Sequence, residues 1–230
     1  MKFILLTAMA FMFAFSMPNI ATAQSIEFSK AVQDLRNMNR LDPRQSPQFK
    51  TSEEVMKGHV LDRTRKTVGE VHDVIVGSSG AIEQLHVEFD RLQLSTEVYI
   101  SYADMGVQPT SSGFITSFED EQIQAVFPEL LAGIATASGA ENLYSTNKLL
   151  GRQVRSVDGR VLGKVDEVLF DGQGGRASAL LVKMDFGRLT GTPLAIPFGV
   201  ANVNTSSAQI KVLVEKQMAD AMISVAEDLK

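Results

Sequence analysis

Cysteine and tryptophan are absent from all 230 residues. That excludes disulfides, thiolate metal sites and any cysteine nucleophile. Histidine and tyrosine are scarce, at three each. Residues 119–147 lack lysine and arginine altogether while holding five acids. Long apolar runs are missing except at the start, where residues 3–15 are apolar apart from Thr7. That run falls short of the ~20 residues that span a bilayer.

What is present begins with that start. Lys2 gives a minimal positive region, Pro18 and Asn19 break the apolar run, and Ala21-Thr22-Ala23 fits a small-x-small cleavage site before Gln24. This is the layout of a secretory signal peptide over residues 1–23; the alternative is a retained anchor. The expected mature chain, 24–230, is periplasmic or secreted and has no transmembrane segment. With 44% hydrophobic and 21% charged residues over all 230, the chain can fill more than one core, which argues against wholesale disorder. Charge is unevenly spread: five Lys/Arg against eight Asp/Glu over 55–118, but nine against five over 148–214. A basic segment beside acidic ones suits two modules that attract each other, or one that meets a charged partner; solvated faces that differ by drift read the same way.

The chain contains a repeat. Aligning Gly69 with Gly163 matches Val71 with Val165, Asp73 with Glu167, Val74 with Val168 and Ile75 with Leu169. One residue out of step, Gly80 matches Gly175, Leu85 matches Leu180 and Val87 matches Val182. After one more step Val98, Ile100 and Tyr102 match Leu194, Ile196 and Phe198. Each shift falls in a turn or loop, where insertions are tolerated. Both copies read as hairpins: an apolar run, a glycine-rich turn, and a returning strand. In the first copy Leu85, Val87 and Phe89 alternate with Gln84, His86 and Glu88, giving one buried and one wet face. In the second, Ala179 and Leu181 make the outer face apolar too, so a helix, the other module or a partner should cover it. Pro197 places the last strand at an edge or a bulge.

Helical patterns follow each closing strand. Ser117 with Asp120 suggests a cap, and Pro128 predicts a break before a second short helix over 129–137. Met218, Met222, Val225 and Leu229 repeat at helical spacing, as packing residues. Phe28, Val32, Leu35 and Met38 fit a short N-terminal helix. Residues 42–47 and 138–147 read as linkers. The segments are therefore 1–23 leader, 24–54 helix and linker, 55–118 first module, 119–147 helical connector, 148–214 second module and 215–230 terminal helix.

The second copy resembles the PRC-barrel domain family. The resemblance rests on Gly151, Val154, Asp158-Gly159, Leu162-Gly163-Lys164-Val165, Glu167, Asp171, Gly174-Gly175 and Ile196-Pro197-Phe198. The first copy keeps Gly69 and Gly80 but has Arg65-Lys66 for Asp-Gly, Gly77 for the aspartate and Ser101 for the proline. The resemblance implies a mainly β protein: two tandem small barrels, each followed by a helical segment, plus the N-terminal helix. It also implies an assembly or binding module, with no catalytic group in the pattern.

No enzyme motif emerges. Gly77-Ser78-Ser79-Gly80 has the wrong spacing for a nucleophile elbow, and Gly163-Lys164 is followed by valine where a phosphate loop needs Ser or Thr. No cofactor is implied. Two candidate sites remain. Arg152, Arg155, Arg160, Lys164 and Arg176, with Arg188, make the second module basic, suited to an envelope protein partner. RNA binding would use the same charges but conflicts with export and the acidic whole. His72 and His86 lie on neighbouring strands near Glu70 and Glu88, a donor set for Zn²⁺ or Cu²⁺. Two solvated histidines on a wet face is the plainer alternative, and His59 stands apart.

Overall fold

The computed structural model describes residues 20–90, 97–137, 142–204 and 210–230. Most of the expected leader, 1–19, and the Ser138-Gly139-Ala140 linker lie outside the described residues. In chain order the described elements are α1 (Ile20–Met38), β1 (Phe49–Thr51), α2 (Ser52–Met56), β2 (His59–Leu61), β3 (Thr67–Gly77), β4 (Ile82–Phe89), β5 (Glu97–Ser101), β6 (Gln108–Thr110) and β7 (Gly113–Ile115). Then come α3 (Asp120–Ala137), β8 (Leu143–Ser145), α4 (Thr146–Leu149), β9 (Gln153–Ser156), β10 (Val161–Asp171), β11 (Ala177–Met184), β12 (Pro193–Pro197), β13 (Asn202–Asn204), β14 (Lys211–Val214) and α5 (Lys216–Asp228). The fold is mainly β, as expected.

The strands form two mixed seven-stranded sheets of the same order. The first runs β5-β4-β3-β2-β7-β6, with β8 also on β3; the second runs β12-β11-β10-β9-β14-β13, with β1 also on β10. Positions matched in sequence occupy matching places. Val71 faces Val87, which faces Val98; Val165 faces Val182, which faces Leu194. Buried alternation explains the pairing: each of these valines turns inward, and one continuous apolar cluster runs through both sheets. Glycine is required where the hairpins cross most closely. A Cβ on Gly163 would lie 2.3 Å from the Lys183 carbonyl oxygen, and one on Gly69 would lie 2.5 Å from that of Glu88.

The sheets exchange their leading strands. β1 precedes the first sheet yet pairs with β10 of the second, while β8 precedes the second yet pairs with β3 of the first. Each is followed by a short helix whose first residue reaches across: Ser52 donates to the Glu167 carboxylate, and Thr146 donates to Asp73 at 2.7 Å. Asp73 is buried and also accepts from Ser145, from the Asn147 amide at 3.1 Å and from the Val74 amide at 2.8 Å. Where the two hairpin turns meet, Ala81 bridges Arg176, and the Ala177 amide donates to the Gly80 carbonyl at 2.9 Å.

Three details differ from the sequence reading. β1 and α2 follow directly on the linker at 42–47, and the expected linker 138–147 holds β8 and the start of α4, because three-residue strands carry no periodicity to read. α3 runs through Pro128 without a second helix; the proline is exposed, and water can satisfy the carbonyl its ring leaves without a donor. The Ser117 hydroxyl bonds the Met105 carbonyl rather than capping α3, whose start is closed by the Glu119 amide donating to the Gln122 side chain at 2.9 Å. The apolar outer face of β11 is covered from within the chain. Leu169, Ala179, Leu181 and Ala195 pack under Met38 of α1 and Phe49 of β1. Asn39, just past α1, bonds both backbone groups of Ala195 on the edge strand β12, at 2.7 and 2.8 Å.

Candidate functional site

Among the described residues the matching outer face of the first sheet carries no apolar cover like that of β11; it is polar and half-buried. His86 and Tyr99 face each other there, at the positions where the second sheet has Leu181 and Ala195 under α1. Glu70, Glu88 and Glu97 stand in one cross-strand row over β3, β4 and β5. The corresponding row of the second sheet is Lys164, Lys183 and Pro193. The charge difference between the two halves is thus concentrated on one row of each sheet.

His72 sits in a β-bulge. Val71 pairs with Val87 and Asp73 pairs with His86, which leaves His72 as the extra residue. A bulge re-aims its side chain, and here the ring lies between two carboxylates. Nε2 is 3.2 Å from Glu88 Oε2 and Nδ1 is 3.4 Å from Glu97 Oε1. His86 stacks on Tyr99 at 4.4 Å with 11° between the rings, and its Nε2 is 3.1 Å from the other oxygen of Glu97. The two expected histidines are therefore brought together, with Glu88 as expected. Glu70 remains in the row, but the second acid at the histidines is Glu97. Alternation along β5, with Glu97 and Tyr99 on the same side, was the signal that could have found it.

The basic candidates separate. Arg160 is engaged by Asp158 at 3.1 Å and by Asp220 at 2.7 Å, and its guanidinium holds the Asp158 carboxyl below the usual range. Arg176 reaches the Ser79 carbonyl at 2.5 Å in the contact between the sheets. Arg152 bonds the Lys148 carbonyl, and Arg188 pairs with Glu227 at 2.8 Å. Arg155 is exposed, and among the described residues its side chain bonds Gln153. Lys164 stands directly opposite Lys183; both are exposed and neither has an ion pair among the described residues. Lys183 was absent from the sequence candidates because only the pairing register sets it against Lys164. The basic face that remains available is Arg155, Lys164 and Lys183.

The family-pattern residues do structural work. Asp171 accepts the Gln173 and Gly175 amides through Oδ1, at 3.2 and 2.8 Å, closing the turn in which Gly174 has φ +81°. Gly159, after Asp158, and Gly151 also have positive φ. Pro197 ends the edge strand β12. A cleft of about 260 Å³ opens between the halves beside Lys50, Lys57 and Gly174. Its cations are already engaged, Lys57 by Glu53 and Lys50 by the Thr110 carbonyl.

Residues 141–217 match the family model of the PRC-barrel domain. The matched stretch is about a third of the chain and runs from β8 to the start of α5. No curated protein matches the chain. Among the described residues no helix is long and apolar enough to cross a membrane.

Proposed function

We propose that this is an exported, non-enzymatic protein built of two tandem PRC barrels, which binds an acidic envelope protein through the outer face of its second sheet. The shared strand order and matched registers support the duplication. The sequence layout of residues 1–23 supports export. The observation that carries the binding reading is the directly opposed pair Lys164 and Lys183, with Arg155 two residues along β9 from Gln153, which faces Lys164. Like charges facing each other across strands are destabilising, and a partner's carboxylates would relieve them. The apolar part of that face, Leu169, Ala179, Leu181 and Ala195, is already occupied by Met38 and Phe49, so docking is confined to its basic end.

The test is affinity capture from an envelope extract, comparing the parent with a variant carrying Arg155→Glu, Lys164→Glu and Lys183→Glu. An Arg160→Gln variant serves as control, because that arginine is already paired within the chain. The expected result is an acidic protein retained by the parent and the control and lost from the charge-reversed variant. Identical capture by all three, or a catalytic turnover abolished by one polar substitution, would overturn the reading.

A further inference from the structure

We infer that the outer face of the first sheet is a binding site for a divalent transition-metal ion of the zinc class, held by His72, His86, Glu88 and Glu97. This rests on the geometry of that face and not on the partner proposed above. One nitrogen of His72 and one oxygen each of Glu88 and Glu97 lie within 4.8 Å of one another. Donors around a tetrahedral ion with bonds of about 2.0–2.1 Å stand roughly 3.3 Å apart. Individual contacts are already of that size: 3.2 Å from His72 Nε2 to Glu88, 3.4 Å from His72 Nδ1 to Glu97, and 3.1 Å from His86 Nε2 to the other Glu97 oxygen. The two acids approach different nitrogens of His72, so on binding the ring and the Glu97 carboxylate would turn until one His72 nitrogen faces both acids and His86 completes the set.

Charge and preorganisation point the same way. Glu88 faces Glu97 on one side and Glu70 on the other. A row of three carboxylates is unfavourable by itself and favourable around a cation. The bulge fixes where His72 projects, and stacking on Tyr99 fixes the His86 ring. The three strands that carry the ligands are hydrogen-bonded neighbours, so the site lies on rigid elements. Two imidazoles with two carboxylates suit Zn²⁺; Ca²⁺ and Mg²⁺ prefer oxygen donors throughout. The second sheet has Asp166, Leu181, Lys183 and Pro193 at the corresponding positions, so one site per chain is expected.

The experiment is calorimetric titration of the full chain with Zn²⁺, together with thermal melts with and without the ion. One equivalent should bind and raise the melting temperature, since the ion joins three strands and binds only the folded form. His72→Ala/His86→Ala should abolish both effects. Glu88→Gln/Glu97→Gln, which keeps side-chain shape, should weaken binding by more than the ~10-fold that loss of a supporting partner costs. His59→Ala, at the β2 end of the same row but outside the cluster, should leave binding unchanged. Zn²⁺ uptake that survives in both double variants, or no uptake by the folded parent chain, would overturn the assignment. The amide variant keeps the test decisive if the alanine variant does not fold.

Discussion

Arg65 holds a backbone φ of +68°. It closes the turn between β2 and β3, donating its amide to the Asp62 carbonyl at 2.9 Å. In the matching turn of the second sheet Gly159 donates to Ser156 at 2.8 Å with φ +92°, so Thr64-Arg65, and not Arg65-Lys66 as the sequence alignment has it, stands where the second copy has Asp158-Gly159. A left-handed conformation costs a side-chain-bearing residue ~1–2 kcal/mol, part of which glycine gives back as entropy in the unfolded chain. Arg65→Gly should therefore stabilise the protein by about 0.5–1 kcal/mol, read as a higher urea midpoint at unchanged slope; a lower midpoint would mean that the arginine side chain contributes more than its backbone costs. Beside it, burial pushes the Asp62 carboxyl up, but the Thr64 hydroxyl and the Lys66 and Thr64 amides together hold it below the usual range. Tyr102 titrates at the other end of the scale. Burial, helped by the Asp171 carboxylate, pushes its phenol up to about 12. The folded state thus binds that proton more tightly than the unfolded chain, where a tyrosine titrates near ~10. Its contribution is complete below ~10 and is lost as the pH rises toward about 12. Alkaline denaturation should steepen across that window, and Tyr102→Phe should flatten it; an identical alkaline profile in the variant would refute this origin.

Between residue and fold stands the question of what holds each element in place. α1 is held by Leu35, which is fully buried, by Met38 over the second sheet, and by Asn39. The Asn39 amide meets both backbone groups of Ala195 and the Leu35 carbonyl, and so closes an edge strand that would otherwise offer them to another chain. Asn39→Ala should cost about 1–3 kcal/mol, the penalty for leaving buried backbone groups without partners, and should increase binding of an apolar dye by loosening α1 from Leu181 and Ala195. A melt and dye signal equal to the parent's would show that apolar packing alone seats the helix. At this scale the hairpins were legible in the sequence, because Gly80, Asp171 and Gly174 are local turn signals and the valines alternate. The helices of Met218 and of Leu35 were legible by spacing. β1 and β8 were not, since three residues show no period and their partners are fixed by the free edges of β3 and β10, far away in the chain. For the candidate site, His72 and His86 could be named from residue type. The role of Glu97 depends on a bulge that turns His72 across two strands, and the exposure of Lys164 depends on a register; neither is a local property.

At the scale of the whole molecule the strand exchange decides how the halves depend on each other. The family match begins before β8, so that strand is part of the second unit by sequence while it completes the first sheet in space. β1 does the reverse. The two crossings are tied by matching contacts, Ser52 to Glu167 and Thr146 to Asp73, and the apolar cluster is continuous through both halves. A fragment ending at residue 137 keeps the long strands of the first sheet but loses β8 and every donor from residues 145–147 to the buried Asp73. A fragment starting at residue 142 loses β1, and with it α1 and the cover over Leu169, Ala179, Leu181 and Ala195. Each fragment alone should therefore melt well below the intact chain or remain only partly folded, with apolar surface exposed. Mixed at equal concentration, they should associate and recover most of the parent's melting temperature, since every exchanged contact can re-form between two chains. Circular dichroism melts and size-exclusion profiles of the separate and mixed fragments measure this directly. If fragment 142–230 alone melts as cooperatively and as high as the intact chain, the exchange is dispensable and the halves are independent domains that merely touch.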